Sequence, residues 1–62
     1  MKNYLKARIS NYNICIDKIQ NAIDECVKND LWDEVSSLEA IRNKIINLVD
    51  EDKIAILELN KK

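Results

Sequence analysis

Apolar residues recur along the first half of the chain in alternating steps of four and three. The series begins at Leu5 and ends at Cys26, and this spacing keeps one side of a helix apolar over three heptads. A half-buried strand would need strict alternation of apolar and polar residues, which is not found there. The chain contains no Gly and no Pro, the residues that most often interrupt a helix. The pattern predicts a first helix over about residues 3–28.

A second apolar stripe runs from Leu31 to Leu59, again in steps of three and four. Two consecutive steps of three, around Leu38, make this stripe drift around the helix. Asp52 interrupts it with a charge. The pattern predicts a second helix over about residues 31–59. A short separate helix after a bend near residues 50–52 is the alternative.

The connection between the two helices is short and polar. Asn29 and Asp30 are predicted to cap the second helix, because their side-chain oxygens accept hydrogen bonds from free backbone N–H groups. Two helices with a short connection pack antiparallel. The predicted fold is therefore all-α, a single helical-hairpin domain over residues 1–62. Its predicted hairpin core consists of Leu5, Ile9, Tyr12, Ile16, Ile19, Ile23, Cys26, Leu31, Val35, Leu38, Ile41, Ile45 and Leu48.

A hairpin of 62 residues needs additional stabilisation, because a chain this short buries only about 60% of its unfolded surface. The chain has no His, so its two Cys cannot complete a zinc site. Cys15 and Cys26 lie about 16 Å apart on one helix, too far for a disulfide. Association is the remaining means, and apolar residues beside the two stripes predict a second packing surface. The predicted partner or dimer interface consists of Cys15, Ala22, Trp32, Ile46, Val49, Ile54 and Leu57.

Charge predicts how two hairpins would associate. Residues 20–40 carry six acids and one base, whereas basic residues gather near the two chain ends. Two hairpins packed head to tail would place basic ends over acidic turns, so we expect a homodimeric four-helix bundle. The net charge of −1 argues against a general nucleic-acid binder. The apolar runs are too short for a membrane span, and the first residues lack a signal-peptide core. We therefore expect a cytoplasmic protein that binds neither nucleic acid nor membrane.

The residue inventory argues against an enzyme. Without His the chain lacks the usual general base near neutral pH, and no serine has an evident activating neighbour. We expect no catalytic residue, no cofactor and no metal. Trp32 has two readings: it covers the hairpin tip as a lid over Cys26 or Val27, or it anchors a partner, since Trp is enriched in binding hot spots.

The turn and the start of the second helix resemble a known family. Residues 30–35, Asp-Leu-Trp-Asp-Glu-Val, followed by Leu38-Glu39 and by Arg42, are similar to flagellar export chaperones of the FliT type. Residues 56–60 resemble the start of that family's third helix. The resemblance implies a cytosolic all-α chaperone that binds secreted flagellar subunits and transcription regulators through apolar helix faces.

The sequence therefore predicts a small non-enzymatic protein-binding module, a chaperone or a regulator of bacterial or phage origin. It would present an apolar helix face to a protein partner. Two alternatives stay open. One is an RNA-binding regulatory hairpin dimer like Rop, in which Tyr4 would stack on a base. The other is a phage-encoded inhibitor of a host protein.

Overall fold

The computed structural model describes residues 2–61, which form two long helices and the turn between them. Helix α1 spans Lys2–Lys28 and helix α2 spans Trp32–Asn60. They pack side by side in opposite directions within a shape of 50 × 15 × 10 Å. The predicted all-α antiparallel hairpin is confirmed. Helix α2 is continuous through residues 50–52, so the alternative of a separate last helix was wrong.

The first helix ends in a tight turn made by backbone hydrogen bonds. The Leu31 N–H donates to the Cys26 carbonyl at 2.9 Å, and the Asp30 N–H donates to the Val27 carbonyl at 3.2 Å. This pair of bonds is a Schellman motif, which requires a left-handed residue just beyond the helix. Asp30 fills that position with a φ of 59°. Asp is one of the few residues besides Gly that tolerates it, and this chain has no Gly.

The predicted capping role of Asn29 and Asp30 is therefore wrong. The Asn29 side-chain amide donates to the Glu25 carbonyl at 2.8 Å, so it serves the end of α1. Leu31 occupies the N-cap position of α2, and no side chain caps it. Both polar residues therefore serve the end of α1. Asn29 binds a free carbonyl there, and Asp30 takes the left-handed conformation that reverses the chain. Asp33 and Glu34 still lie in the first turn of α2, where negative charge is favoured.

The inward face of α2 follows a regular heptad that the sequence reading missed. Val35 and Val49 are buried at 7% and 5% exposure, and Asp52 is buried at 5%. Arg42 and Ile45 are partly buried between them. From Val35 onward the inward positions alternate in steps of three and four without a slip, and two of those positions are polar.

Three residues were consequently assigned to the wrong side. Leu31 and Ile41 were predicted to lie in the core, but they are 45% and 50% exposed. Leu31 lies in the turn before α2, and Ile41 is displaced from the core by its neighbour Arg42. Val49 was predicted on the outer surface and is buried instead. The other predicted core positions are partly or fully buried, although Leu48 flanks the inward stripe instead of lying in it: Leu5, Ile9, Tyr12, Ile16, Ile19, Ile23, Cys26, Val35, Leu38, Ile45 and Leu48.

The interior of this hairpin is thin. Only Ile23, Val35 and Val49 are buried apolar residues within residues 2–61. A 7.2 kDa chain exposes roughly 10,400 Å² when unfolded, and the hairpin still exposes 4742 Å². Folding therefore removes roughly 55% of the surface from water, slightly less than a globular domain of this size removes.

Candidate interaction surfaces

Two polar contacts between the helices distinguish the two broad faces of the hairpin. Ile9 lies on the inward stripe of α1. Arg8 directly precedes Ile9, so it flanks the stripe on one side, and it contacts Asp52. Ile19 lies on the same stripe. Gln20 directly follows Ile19, so it flanks the stripe on the other side, and it contacts Arg42. We call the two sides the Arg8 face and the Gln20 face. Residues seven positions away from a flanking residue lie on the same face.

The contact on the Arg8 face is a two-point ion pair. Arg8 Nε donates to Asp52 Oδ2 at 2.7 Å, and Arg8 Nη2 donates to Asp52 Oδ1 at 2.5 Å. These hydrogen bonds hold the pKa of Asp52 below its ordinary value, against the opposing effect of burial, and they raise the pKa of Arg8. The Arg8 guanidinium carbon also lies 5.3 Å from the centre of the Tyr4 ring. Arg8 is therefore engaged by its own chain.

The contact on the Gln20 face is a chain of polar side chains. Arg42 Nη1 donates to Gln20 Oε1 at 2.7 Å, and Gln20 Nε2 donates to Asp24 Oδ1 at 3.1 Å. Glu39 approaches Arg42 Nη2 at 4.0 Å. The Nε of Arg42 is buried and has no acceptor within residues 2–61. The residue spacing could have revealed Arg42 as an inward position, because it continues the regular steps from Val35.

An apolar strip crosses the middle of the Arg8 face. Cys15 and Ala22 follow Arg8 by seven and fourteen positions, while Ile41, Leu48 and Ala55 share the corresponding flank of α2. Cys15 is exposed, Ile41 is 50% exposed, and the other three are half-buried. We call these five residues the apolar strip. It carries no charge of its own.

The Gln20 face is more polar in its middle and apolar toward the turn. Val27 follows Gln20 by seven positions and is 41% exposed. Trp32 and Ile46 lie on the matching flank of α2, with exposures of 57% and 37%. Leu31 is a further exposed apolar residue, in the turn directly before Trp32. We call Val27, Leu31 and Trp32 the tip cluster. Because Val27 is 41% exposed, Trp32 does not bury it, which is one form of the predicted lid.

The outer edge of α2 carries the remaining predicted interface residues. Ile54 and Leu57 lie three positions apart, on one side of the helix, and are 58% and 59% exposed. They point away from α1, since neither belongs to the inward heptad or to its flanks. The predicted interface thus divides among the Arg8 face, the Gln20 face and this edge. The structure does not bring its members together into one surface.

An open groove of about 340 Å³ lies beside the turn on the Arg8 face. Its walls consist of Cys26, Asp33, Glu34, Ser37 and Leu38. Within residues 2–61, no three side chains of the metal-binding types come together. Neither α1 nor α2 is apolar over enough of its length to cross a membrane.

Comparison with known protein families, with curated proteins and with solved structures found no match to this chain. The resemblance to flagellar export chaperones therefore stays a prediction that rests on the residues around Trp32.

Proposed function

We propose that this hairpin is a non-enzymatic protein-binding module, a chaperone or regulator that presents an apolar helix surface to a protein partner. The supporting observation is the distribution of its large apolar side chains. Nine of them are exposed within residues 2–61, whereas only three apolar residues are buried. Single exposed apolar residues are ordinary, but nine large ones on a hairpin of this size favour a further packing surface.

The tip cluster is the surface best suited to a partner. Trp32 gives a binding partner a large rigid ring at little conformational cost, which is why Trp is common among binding hot spots. Val27 and Leu31 are further exposed apolar residues near the turn, and the exposed acids Asp30 and Asp33 directly flank Leu31 and Trp32 in sequence. This arrangement of an apolar centre and a polar rim is typical of protein interfaces. An amphipathic helix with basic residues beside its apolar stripe would fit it.

The proposal is tested by affinity capture from cell extract, with Trp32→Ala compared against Leu57→Ala. Both residues are exposed on α2, at 57% and 59%, but they lie at opposite ends of it. We expect one defined protein to be retained after RNase treatment, to be lost with Trp32→Ala and to be kept with Leu57→Ala. A purified partner should shift the fluorescence of the single Trp to the blue. Equal capture by both variants, or capture that RNase abolishes, would contradict the proposal.

A further inference from the structure

We propose that the apolar strip on the Arg8 face is covered by a second copy of this chain, packed head to tail. The inference deepens the proposed function, on which it rests, because it names the partner at one of the two broad faces. It leaves the tip cluster on the other face to a different protein. Three features of the hairpin support a second copy as the occupant.

The first feature is the composition of the strip. Cys15 and Ala22 make the α1 side of the face shallow, whereas Ile41 and Leu48 make the α2 side prominent. Small residues permit close approach of a partner helix, and the prominent ones fill the space between helices. In four-helix bundles the apolar surface of each helix widens to include one flank of the inward stripe. Here the widened flank is the one on the Arg8 face.

The second feature is the charge at the two ends of the strip. Glu34 precedes Ile41 by seven positions and lies toward the turn, while Arg8 precedes Cys15 by seven, lies toward the chain ends and is already paired with Asp52. The turn region at residues 20–40 carries six acids and one base. The open end, residues 2–10 together with residues 50–61, carries five bases and four acids, so it is weakly basic where the turn is strongly acidic. A two-fold axis through the middle of the strip places each strongly acidic turn over the partner's weakly basic open end, and keeps the two acidic turns apart.

The third feature is size. The broad face of the hairpin measures 50 by 15 Å, which is a footprint of about 750 Å². A standard stable interface buries about 800 Å² on each partner. Pairing over nearly the full length therefore supplies the area that a stable dimer needs. It also adds buried apolar surface to a hairpin whose own interior is thin.

The test compares three lysine substitutions on α2 by sedimentation equilibrium. Ile41→Lys lies in the strip, Ile46→Lys lies on the Gln20 face, and Ile54→Lys lies on the outer edge, and all three positions are exposed in the hairpin. We expect a wild-type dimer and, for Ile41→Lys, a dissociation constant at least roughly a hundredfold higher, because each copy then buries an ammonium group. The other two variants should remain dimers. A monomeric wild type at high micromolar concentration, or dissociation caused by Ile46→Lys instead, would overturn the inference.

A second measurement does not depend on the folding of the lysine variants. In a Cys26→Ala protein the exposed Cys15 is the single thiol, so its rate of labelling reports whether the strip is covered. We expect labelling to slow as the protein concentration rises through the dissociation constant. Labelling that is equally fast at all concentrations would overturn the inference.

The salt dependence of the dimer tests its head-to-tail orientation, and the capture assay tests whether the dimer is independent of the protein partner. Rising salt should weaken a head-to-tail dimer, because it screens attraction between opposite ends. A dimer strengthened by salt would contradict this orientation, since it would indicate turn-over-turn packing of like charges. Trp32→Ala should abolish capture of the other protein and leave the dimer intact. Failure of the dimer and failure of the proposed function are therefore distinguishable.

Discussion

Arg8 on α1 and Asp52 on α2 are joined by two hydrogen bonds that span 44 positions of sequence. The Asp52 side chain is 7% exposed and the Arg8 side chain 38%. Asp52 lies at an inward position of α2, where a neutral apolar residue would ordinarily pack. Side-on pairing with a planar guanidinium constrains both the distance and the orientation of the two helices. The pair therefore determines the register at the open end of the hairpin, where the chain itself supplies no connection.

This pair makes hairpin stability depend on acid pH. The pKa of Asp52 is lowered in the folded hairpin, so the folded state favours the carboxylate. Its stabilising contribution is complete above the unfolded pKa of about 3.9 and is lost as the pH falls through the lower folded pKa. We expect Asp52→Asn to lower the melting temperature at pH 7, measured by circular dichroism at fixed protein concentration. The difference from wild type should shrink below about pH 4. An unchanged difference at pH 3 would contradict the role of the ion pair.

Arg42 is expected to limit stability. It occupies an inward position, its Nε has no acceptor within residues 2–61, and its shortest hydrogen bond is to Gln20. Replacing a buried charged group by an apolar one of similar volume is often neutral or stabilising, by up to about 2 kcal/mol here. We expect the double change Arg42→Leu with Gln20→Leu to raise the melting temperature. Gln20→Leu alone should lower it, because Arg42 then loses its shortest hydrogen bond. A large loss of stability in the double variant would show that the polar contact stabilises the hairpin.

Asp30 is the position where a single glycine should stabilise the turn. Its φ of 59° is left-handed, which costs an L-residue roughly 1 kcal/mol relative to Gly, less for Asp than for most. We expect Asp30→Gly to be neutral or stabilising in urea unfolding, and Asp30→Val to destabilise by more than 1 kcal/mol, as an order of magnitude. Asn29→Val, in the same turn, is the matched control for loss of a polar side chain. Equal effects of the two Val substitutions would contradict a specific left-handed requirement.

The heptad of α2 can be checked by truncating residues on either side of the helix. Val49 is 5% exposed, and Val49→Ala should cost about 2 kcal/mol of unfolding free energy through lost burial and a small cavity. Leu57 is 59% exposed, so Leu57→Ala should cost less than about 0.5 kcal/mol. Chemical unfolding at one protein concentration measures both, because association would otherwise alter the apparent stability. The reverse order would contradict the inward heptad.

The first helix was predictable because its apolar positions are unbroken. Ile9, Ile16 and Ile23 all lie inward as the spacing predicts, since no charged residue competes for those positions. The second helix was predictable in extent, but its inward positions were predicted only in part, with Val35, Leu38 and Ile45 correct. Ile41 and Leu48 stand one position before the inward Arg42 and Val49, so counting apolar residues selects the wrong member of each pair.

The sequence predicted that some apolar residues would be left over for an interface, but not how they would be arranged on the surface. Apolar side chains in excess of what two stripes can bury are visible in the sequence alone. Their division between two faces and an edge is not visible, because a displacement of one position rotates a side chain by about 100° around the helix. Trp32 could be placed at the turn, but its exposure depends on how the chain reverses there.

The sequence by itself determined that this protein folds into two amphipathic helices, because helical periodicity and the lack of Gly and Pro act locally, residue by residue. Only the tertiary structure decided which residues of α2 face inward and which residue reverses the chain. The inward residues depend on partners distant in sequence: Gln20 binds Arg42 in a position that hydrophobicity alone assigns to Ile41, and Arg8 pairs with Asp52 at its inward position. The physical reason is that a buried charge is tolerated only where its counterpart can reach it, and that geometry exists only after the helices pack.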